Sequence, residues 1–451
     1  MATATTAKPN LTYFLNNPCH NCRRRRLRCD RSRPSCNKCS SLGRECLGYD
    51  KLFVWTQVCR DLAAHDGPDC NPFRELIPLS LAHPFLLHII IATSAMHMSN
   101  ISHPPITTQP PLLPDPADHL QCLRATDGIS RRAFLDSLVA KDRAIQHLRY
   151  VLKDPKGVDR GVLLAAMLFF VNFELIDLGR GGWKDHLHGA CRILDLLRPE
   201  VSPVKLDSRT ALHDCIVSDF VIYHILGSTL VSAGLAASIA KHALNLSPLM
   251  ERVEATSYLC CPATILQLIL SASRLSGDAT GPEIPHSVTM SALDIIHHAM
   301  AFDIRAWAVS IQPRIKVPDL ASRTAVAMAH RAALCLYILQ AVPSTRPHAP
   351  VSVDALVRVI LNHLSEVDEG DVHFKATSWP TFIAGAEARD YDTRVWVLSR
   401  LMRMWECCPW GYVFAAVEML RRTWRMRDDG SVGEAGWLQE LWAMDMGFLI
   451  V

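Results

Sequence analysis

Six cysteines near the amino end, Cys19, Cys22, Cys29, Cys36, Cys39 and Cys46, are spaced C-x2-C-x6-C-x6-C-x2-C-x6-C, in two near-identical halves of three thiols. No other feature of the 451-residue chain constrains its folding as much. A zinc ion takes four ligands at the corners of a tetrahedron, and a C-x2-C turn delivers two thiolates to one metal. Three thiols do not close a structural site, and six do not divide into two separate sets of four. Two tetrahedra that share two sulfurs need six in all, so the duplicated spacing predicts two zinc ions joined through bridging thiolates. A segment of 28 residues buries too little apolar surface to fold alone, so metal binding is expected to supply its folding free energy. The other ten cysteines show no such order. The leading segment MATATTAKPNLTYFLNNP lacks a charged stretch followed by an apolar run. A reducing compartment is therefore expected, where thiols bind metal or pack as small hydrophobes.

Charge is distributed as unevenly as sulfur. The chain carries a net +3, yet Cys19 to Cys46 holds eight Arg and one Lys against Asp30 and Glu45, a local +7. The remaining residues are mildly acidic, with 38 basic against 42 acidic side chains. That asymmetry marks a short polyanion-binding module attached to a larger neutral body. Arg23, Arg24, Arg25, Arg26 and Arg28 crowd between the second and third cysteines, on an expected short helix pinned at both ends by metal. Guanidinium groups packed so closely repel one another unless phosphates neutralise them. An arginine also matches the O6 and N7 acceptors of guanine in the major groove. Double-stranded DNA is the expected partner, and nuclear import can draw on the same residues.

The segment CHNCRRRRLRCDRSRPSCNKCSSLGREC closely resembles the fungal binuclear zinc cluster, the six-cysteine DNA-binding domain of fungal transcription factors. Pro34, two residues before the fourth cysteine, matches the family's loop. The resemblance implies that Cys19 and Cys36 bridge, that Cys22 and Cys29 complete one zinc site, and that Cys39 and Cys46 complete the other. It also implies that Arg25 and Arg26 approach bases, that Arg23 and Arg28 contact phosphates, and that the target contains a CGG triplet. Many relatives carry Lys at the base-reading positions, so arginine at both leaves the individual contacts open. Residues 47–80 hold no sustained heptad, and Gly67-Pro68 interrupts any helix. Dimerisation through a coiled coil is therefore not expected. Monomeric binding and a homodimer formed through the larger domain both stay open.

The rest of the chain reads as helical, giving an all-α expectation: residues 1–18 disordered, 19–46 the zinc module, 47–80 a linker, and 81–451 a helical-bundle regulatory domain. Val353, Leu356, Val357, Ile360, Leu361, Leu364 and Val367 recur along one helical face. Leu138, Ile145, Leu148 and Leu152 suggest another face, with Lys141, Asp142 and Arg143 turned outward. Val162–Phe173 and Ala332–Val342 read as central helices. Six prolines between Pro104 and Pro116 mark a loop. Phe220–Ala240 lacks charged residues but is diluted by His224, Gly227, Ser228 and Gly234. It is read as a buried helix pair, with no membrane partner. GYDKLFVW, HPFLLHIIIATSAMHMS, WKDHLHGACRIL and SWPTFIAGAEARDYD resemble, in order along the chain, the helical regulatory domain of fungal transcription factors. That domain occurs in regulators of sterol uptake, arginine metabolism, drug sensitivity and secondary metabolism.

An enzyme is not expected. The chain has no H-E-x-x-H, G-x-S-x-G or P-loop sequence, and no G-x-G-x-x-G after a strand. His186 and His188, and His297 and His298, lack the i, i+4 spacing of a helical metal pair. Trp183 and His186 are expected to pack, Gly179–Gly182 to connect two helices, and Cys260-Cys261 and Cys407-Cys408 to sit at helix ends. A small-molecule effector pocket is expected among apolar residues of Phe85–Met98 and Val162–Phe173. The carboxy-terminal EAGWLQELWAMDMGFLIV is read as a packed helix with Trp437, Leu441 and Trp442 on one stripe, in preference to a recruiting segment for the transcription machinery. The function expected is a nuclear, sequence-specific DNA-binding transcription regulator of a secondary-metabolite biosynthetic gene cluster. The alternative is a broad regulator of drug, stress, sterol or amino-acid genes gated by a small ligand.

Overall fold

Side-chain caps and apolar periodicity set where the helices begin and which faces they bury. A computed structural model describes residues 18–19, 22, 25, 27–30, 36–43, 51–66, 70–101, 116–154, 158–196, 208–231, 247–279, 284–315, 318–430, 436–444 and 447–451. In chain order the α-helices are α1 (Asn37–Ser41), α2 (Lys51–Asp61), α3 (Leu76–Ser80), α4 (Pro84–Ile101), α5 (Pro116–Thr126) and α6 (Gly128–Val151). Then come α7 (Arg160–Asp177), α8 (Trp183–Leu196), α9 (Ser208–Leu230), α10 (Ser247–Val253), α11 (Ala263–Asp278), α12 (His286–Ala301) and α13 (Ile304–Ile311). The last are α14 (Leu320–Ala341), α15 (Val353–Ser365), α16 (Ser378–Glu387), α17 (Tyr391–Cys407), α18 (Tyr412–Asp428) and α19 (Trp437–Met444). The described residues form no β-strand, and their one β contact is an isolated bridge between Ala63 and Ser257. The all-α expectation holds.

The chain divides into two compact units, Met1–Val58 and Cys59–Val451. In the second, Asp127, Asp159, Ser352 and Asp390 accept hydrogen bonds from backbone N–H groups of α6, α7, α15 and α17. Each cap satisfies a donor that the first turn leaves without a helical partner. Helices α4 and α14 are long and apolar enough to cross a membrane, but most of each is buried among its neighbours. Val162–Phe173 is buried throughout, as expected of a central helix. Of the face expected on α15, Leu356, Ile360, Leu364 and Val367 are buried. Phe220–Val231 is buried as expected, and the remainder of that stretch lies outside the described residues. So does the proline-rich stretch 104–116, except Pro116, which opens α5.

Helix α6 buries a different face from the one its large apolar residues suggest. Leu138 and Leu152 are exposed, whereas Ser130, Ala133, Ser137, Ala140, Ala144 and Leu148 are buried. Small residues let α6 lie close against α4, and Ser130 Oγ donates to the Ser99 carbonyl at 2.6 Å. Lys141 does not turn outward. Its ammonium reaches Glu174 at 2.6 Å and lies over the Phe173 ring. Residues 47–80, expected as a linker, contain α2, α3 and a 3-10 turn at Pro72–Glu75 capped by Asn71. Asp61 at the end of α2 accepts from His97 Nε2 at 3.0 Å and Trp410 Nε1 at 2.9 Å. Those partners are remote in sequence, so local pattern could not have anticipated an ordered segment here.

Two connections depend on glycine. Gly179, at φ +65°, links α7 to α8, and a Cβ there would lie 2.7 Å from that of Tyr412. A Cβ on Gly411 would lie 1.7 Å from the Asp177 carbonyl oxygen, the backbone to which α18 is apposed. The Gly411 N–H donates to the neighbouring Ile176 carbonyl at 3.0 Å. At the carboxy-terminal end Trp437, Leu438, Leu441 and Phe448–Val451 are buried, and Trp437 Nε1 donates to Glu387. This is the packed helix expected, although Trp442 is only half-buried.

Candidate metal centre and nucleic-acid interface

Each C-x2-C turn folds so that its second cysteine returns to its first. Cys22 N–H donates to Cys19 Sγ at 3.3 Å, and Cys39 N–H donates to Cys36 Sγ at 3.3 Å. Both turns thus aim two sulfurs inward, and the duplication in sequence becomes a duplication in geometry. Cys36 also caps α1. The Asp30 carboxylate accepts from the N–H groups of Asn37 and Lys38 at 3.1 and 3.4 Å, tying the middle of the module to the second turn. Sequence reading missed this role for Asp30 and counted only its charge, because its partners lie seven and eight residues on.

Cys19, Cys22, Cys36 and Cys39 form the interior, with Leu27 and Cys29 packed against them. The sulfurs of Cys19 and Cys36 are 3.5 Å apart, those of Cys19 and Cys39 3.8 Å, and those of Cys22 and Cys36 3.6 Å. Disulfide sulfurs would be about 2 Å apart, so these sulfurs are not joined in disulfides. A Zn–S bond of about 2.3 Å places sulfurs on a tetrahedron about 3.8 Å apart, which the observed separations fit. Cys36 contacts sulfurs of the first turn, and Cys19 contacts both sulfurs of the second. Cys29 sits alongside, accepting from Cys19 N–H at 3.3 Å. Burial pushes the thiols of Cys19, Cys22 and Cys36 up, that of Cys36 to about 12. Without a cation these sulfurs keep their protons, and metal binding exchanges the protons for charge compensation.

Arg25 and Arg28 are exposed, one on each side of half-buried Leu27. Their exposure leaves these two side chains accessible to a polyanion. Cys46, Arg23, Arg24 and Arg26 lie outside the described residues.

Two cavities among the described residues of the helical unit are not lined by the helices expected to hold an effector. Helices α4 and α7 pack directly together, and Thr93 Oγ1 reaches the Phe169 carbonyl at 3.3 Å. Many of the apolar residues expected to line a pocket are buried, including Phe85, Leu86, Ile89, Ile90 and Met96. One cavity, of about 20 Å³, lies among Asp61, Tyr223, Tyr258, Lys375, Trp410 and Tyr412, room for a water molecule. The other is an open depression of about 750 Å³ between α11 and α12, with Arg274, Asp278 and Asp294 in its wall. His186 stacks on Phe170, and Trp183 is buried with its Nε1 donating to the Gly447 carbonyl. Both are packing roles, as expected. Cys261 and Cys408 are buried at the ends of α11 and α17, as expected of helix-end cysteines, whereas Cys407 is exposed.

Comparison with known proteins agrees with this geometry. The fungal Zn(2)-Cys(6) binuclear cluster domain matches residues 17–55, and the fungal specific transcription factor domain matches residues 55–451. The chain belongs to the family of fungal binuclear zinc cluster transcription factors, whose cluster domain binds two zinc ions. Both matched domains are those of transcription factors. It is 38% identical over 413 residues to the acriflavine sensitivity control protein acr-2 of Neurospora crassa, a match covering 88% of this chain and 66% of that protein. A shorter match, 27% identical over 175 residues, is to the pestheic acid cluster transcriptional regulator 3 of Pestalotiopsis fici, covering 33% of this chain and 30% of that one. The sorbicillinoid biosynthetic cluster transcription factor sor4 of Hypocrea jecorina is 46% identical over 50 residues, 11% of this chain and 7% of that one. The chain thus spans just under two thirds of the acriflavine relative and smaller shares of the other two. No solved structure matches the chain.

Proposed function

We propose that this chain acts in the nucleus by binding CGG-type, GC-rich DNA through residues 19–46. All six thiols ligate, Cys19 and Cys36 bridge the two zinc ions, and Cys29 and Cys46 complete the two tetrahedra. Arg25 and Arg26 read guanine edges, while Arg23 and Arg28 neutralise phosphates and set the register. The carrying observation is the pair of C-x2-C turns that bring four sulfurs within 4.8 Å of one another in a module where Arg25 and Arg28 are exposed. Zinc folds the module, the phosphate contacts supply salt-dependent affinity, and the two arginines supply discrimination. The helical unit then carries regulation and contact with co-regulators, as a monomer or as a homodimer.

For the target genes, a drug-sensitivity response is favoured over a secondary-metabolite cluster. The relative aligned with 88% of this chain is named for acriflavine sensitivity, whereas the metabolite-cluster regulators match 33% and 11% of it. The cluster reading remains the second. Genome-wide occupancy of the tagged protein, beside an Arg25→Ala, Arg26→Ala double variant, tests the whole reading. Peaks centred on CGG-type sites that vanish in the variant are expected, over efflux and detoxification genes on the first reading and over one contiguous gene cluster on the second. Occupancy that survives the double substitution would show that these arginines do not read the bases.

A further inference from the structure

Far from the cysteine cluster in sequence, three donor side chains converge inside the helical unit. His65 follows α2, Asp319 precedes α14, and His373 precedes the 3-10 turn Phe374–Thr377. Both imidazoles present Nε2 to the same carboxylate oxygen, Asp319 Oδ2, His65 at 3.0 Å and His373 at 2.8 Å. The ligating atoms of the three all lie within 4.8 Å of one another. The two rings lie edge to face, their planes at 74° and their centroids 5.8 Å apart. The side chains of Asp319 and His373 are buried, and that of His65 is 15% exposed, which leaves a way in from one side.

Hydrogen bonding alone overfills this oxygen. Arg323, fully buried one turn along α14, donates to Oδ2 at 2.7 Å from Nη2 and to Oδ1 at 3.2 Å from Nε. Three donors therefore meet on Oδ2, although a carboxylate oxygen offers about two lone-pair directions. Replacing the two imidazole Nε2 protons by one divalent cation would relieve the crowding and use both nitrogen lone pairs. Arg323 would then hold Asp319 from the side of Oδ1 while also donating to the carbonyls of Glu254 and Ala255. Cys260 lies beside the His373 ring and is the described non-glycine residue with left-handed backbone, φ 54°. A buried side chain kept in that conformation shows that its surroundings fix it firmly, as around a built site.

We propose that His65, Asp319 and His373 form a further metal site for a zinc-class divalent ion, separate from the cysteine cluster. Two imidazoles and a carboxylate suit zinc or cobalt, and three protein donors leave a fourth position for water or a small ligand. Bound there, the ion would pin the residues that follow α2 to the start of α14. Arg323 is a positioning residue.

Native mass spectrometry of the full chain after equilibration with zinc tests this. The wild type is expected to carry three zinc ions, and the His65→Gln and His373→Ala variants two each. Two ions in the wild type, or three undiminished in both variants, would overturn the proposal. Because His373 is buried and its replacement disturbs packing, a second readout uses the half-buried His65. Zinc added after mild chelation should raise the melting temperature of the helical unit in the wild type and not in His65→Gln. An equal response in the two, or none in the wild type, contradicts the site and leaves an imidazole–carboxylate–guanidinium network bridged by protons.

Discussion

The two units of this protein are held by different forces, and the difference appears in what each uses as a core. In the cysteine cluster of the amino-terminal unit, buried thiols make up the core among the described residues, with Leu27 and Cys29 packed against them. In the helical unit the interior is Leu, Ile, Val, Phe and Ala, with buried tryptophans such as Trp183, Trp379 and Trp437. A metal core is set by ligand geometry within a few residues, so it depends on a handful of atoms. A helical core is a sum of many apolar contacts, so single losses are diluted unless they collide with backbone.

The largest expected effect therefore follows from the smallest change. Cys36→Ser removes a sulfur that contacts both Cys19 and Cys22, and the two zinc ions of the cluster and specific DNA binding should both be lost. Circular dichroism of the same sample should keep its helical signal, because that signal comes from the other unit. Gly411→Ala inverts the pattern, since its Cβ would strike the Asp177 carbonyl. Overpacking against backbone should cost about 3 kcal/mol, read as a lower melting temperature with zinc content unchanged. A drop in zinc content would show that the two units are not independent in this respect.

Acid sharpens the contrast further. Burial lowers His330 to about 4 from its ordinary 6.5, so between those values the unfolded chain binds a proton that the folded chain refuses. Stability of the helical unit is then fully present above pH 6.5 and is lost as pH falls toward 4, on the order of 2–3 kcal/mol. His330→Phe should flatten this acid limb in urea melts at pH 7 and pH 5, and an unchanged slope would assign the loss to other groups. The smallest effect is expected at Arg26. Arg26→Ala should cost about 1–3 kcal/mol of binding and relax discrimination at one base pair. Weakening that is equal on every sequence would make Arg26 a phosphate contact.

How much was legible in the sequence follows the same division. Cysteine spacing is a local code, because a C-x2-C turn returns its second N–H to its first sulfur whatever surrounds it. The helices were legible in kind for a similar reason, since caps such as Asp127 and Ser352 act within one turn. Which face a helix buries was not always legible. On α6 the small residues won over Leu138 and Leu152 because α4 approaches closely, and nothing in α6 itself records its partner. The order in residues 51–66 was hidden too, since it rests on Asp61 meeting Trp410, 349 residues away. His65, Asp319 and His373 were invisible as a group for that reason: 254 and 54 residues separate Asp319 from its two imidazole partners.

The most direct test of two differently held units is zinc removal followed by two readings on one sample. A strong chelator is added to the full-length protein at neutral pH, and binding to a CGG-type duplex and far-ultraviolet circular dichroism are measured together. Specific binding should fall to the level of unrelated DNA while the helical signal stays near its starting value, and added zinc should restore binding. Loss of the helical signal along with binding would contradict the account, because it would mean that the helical fold itself depends on metal.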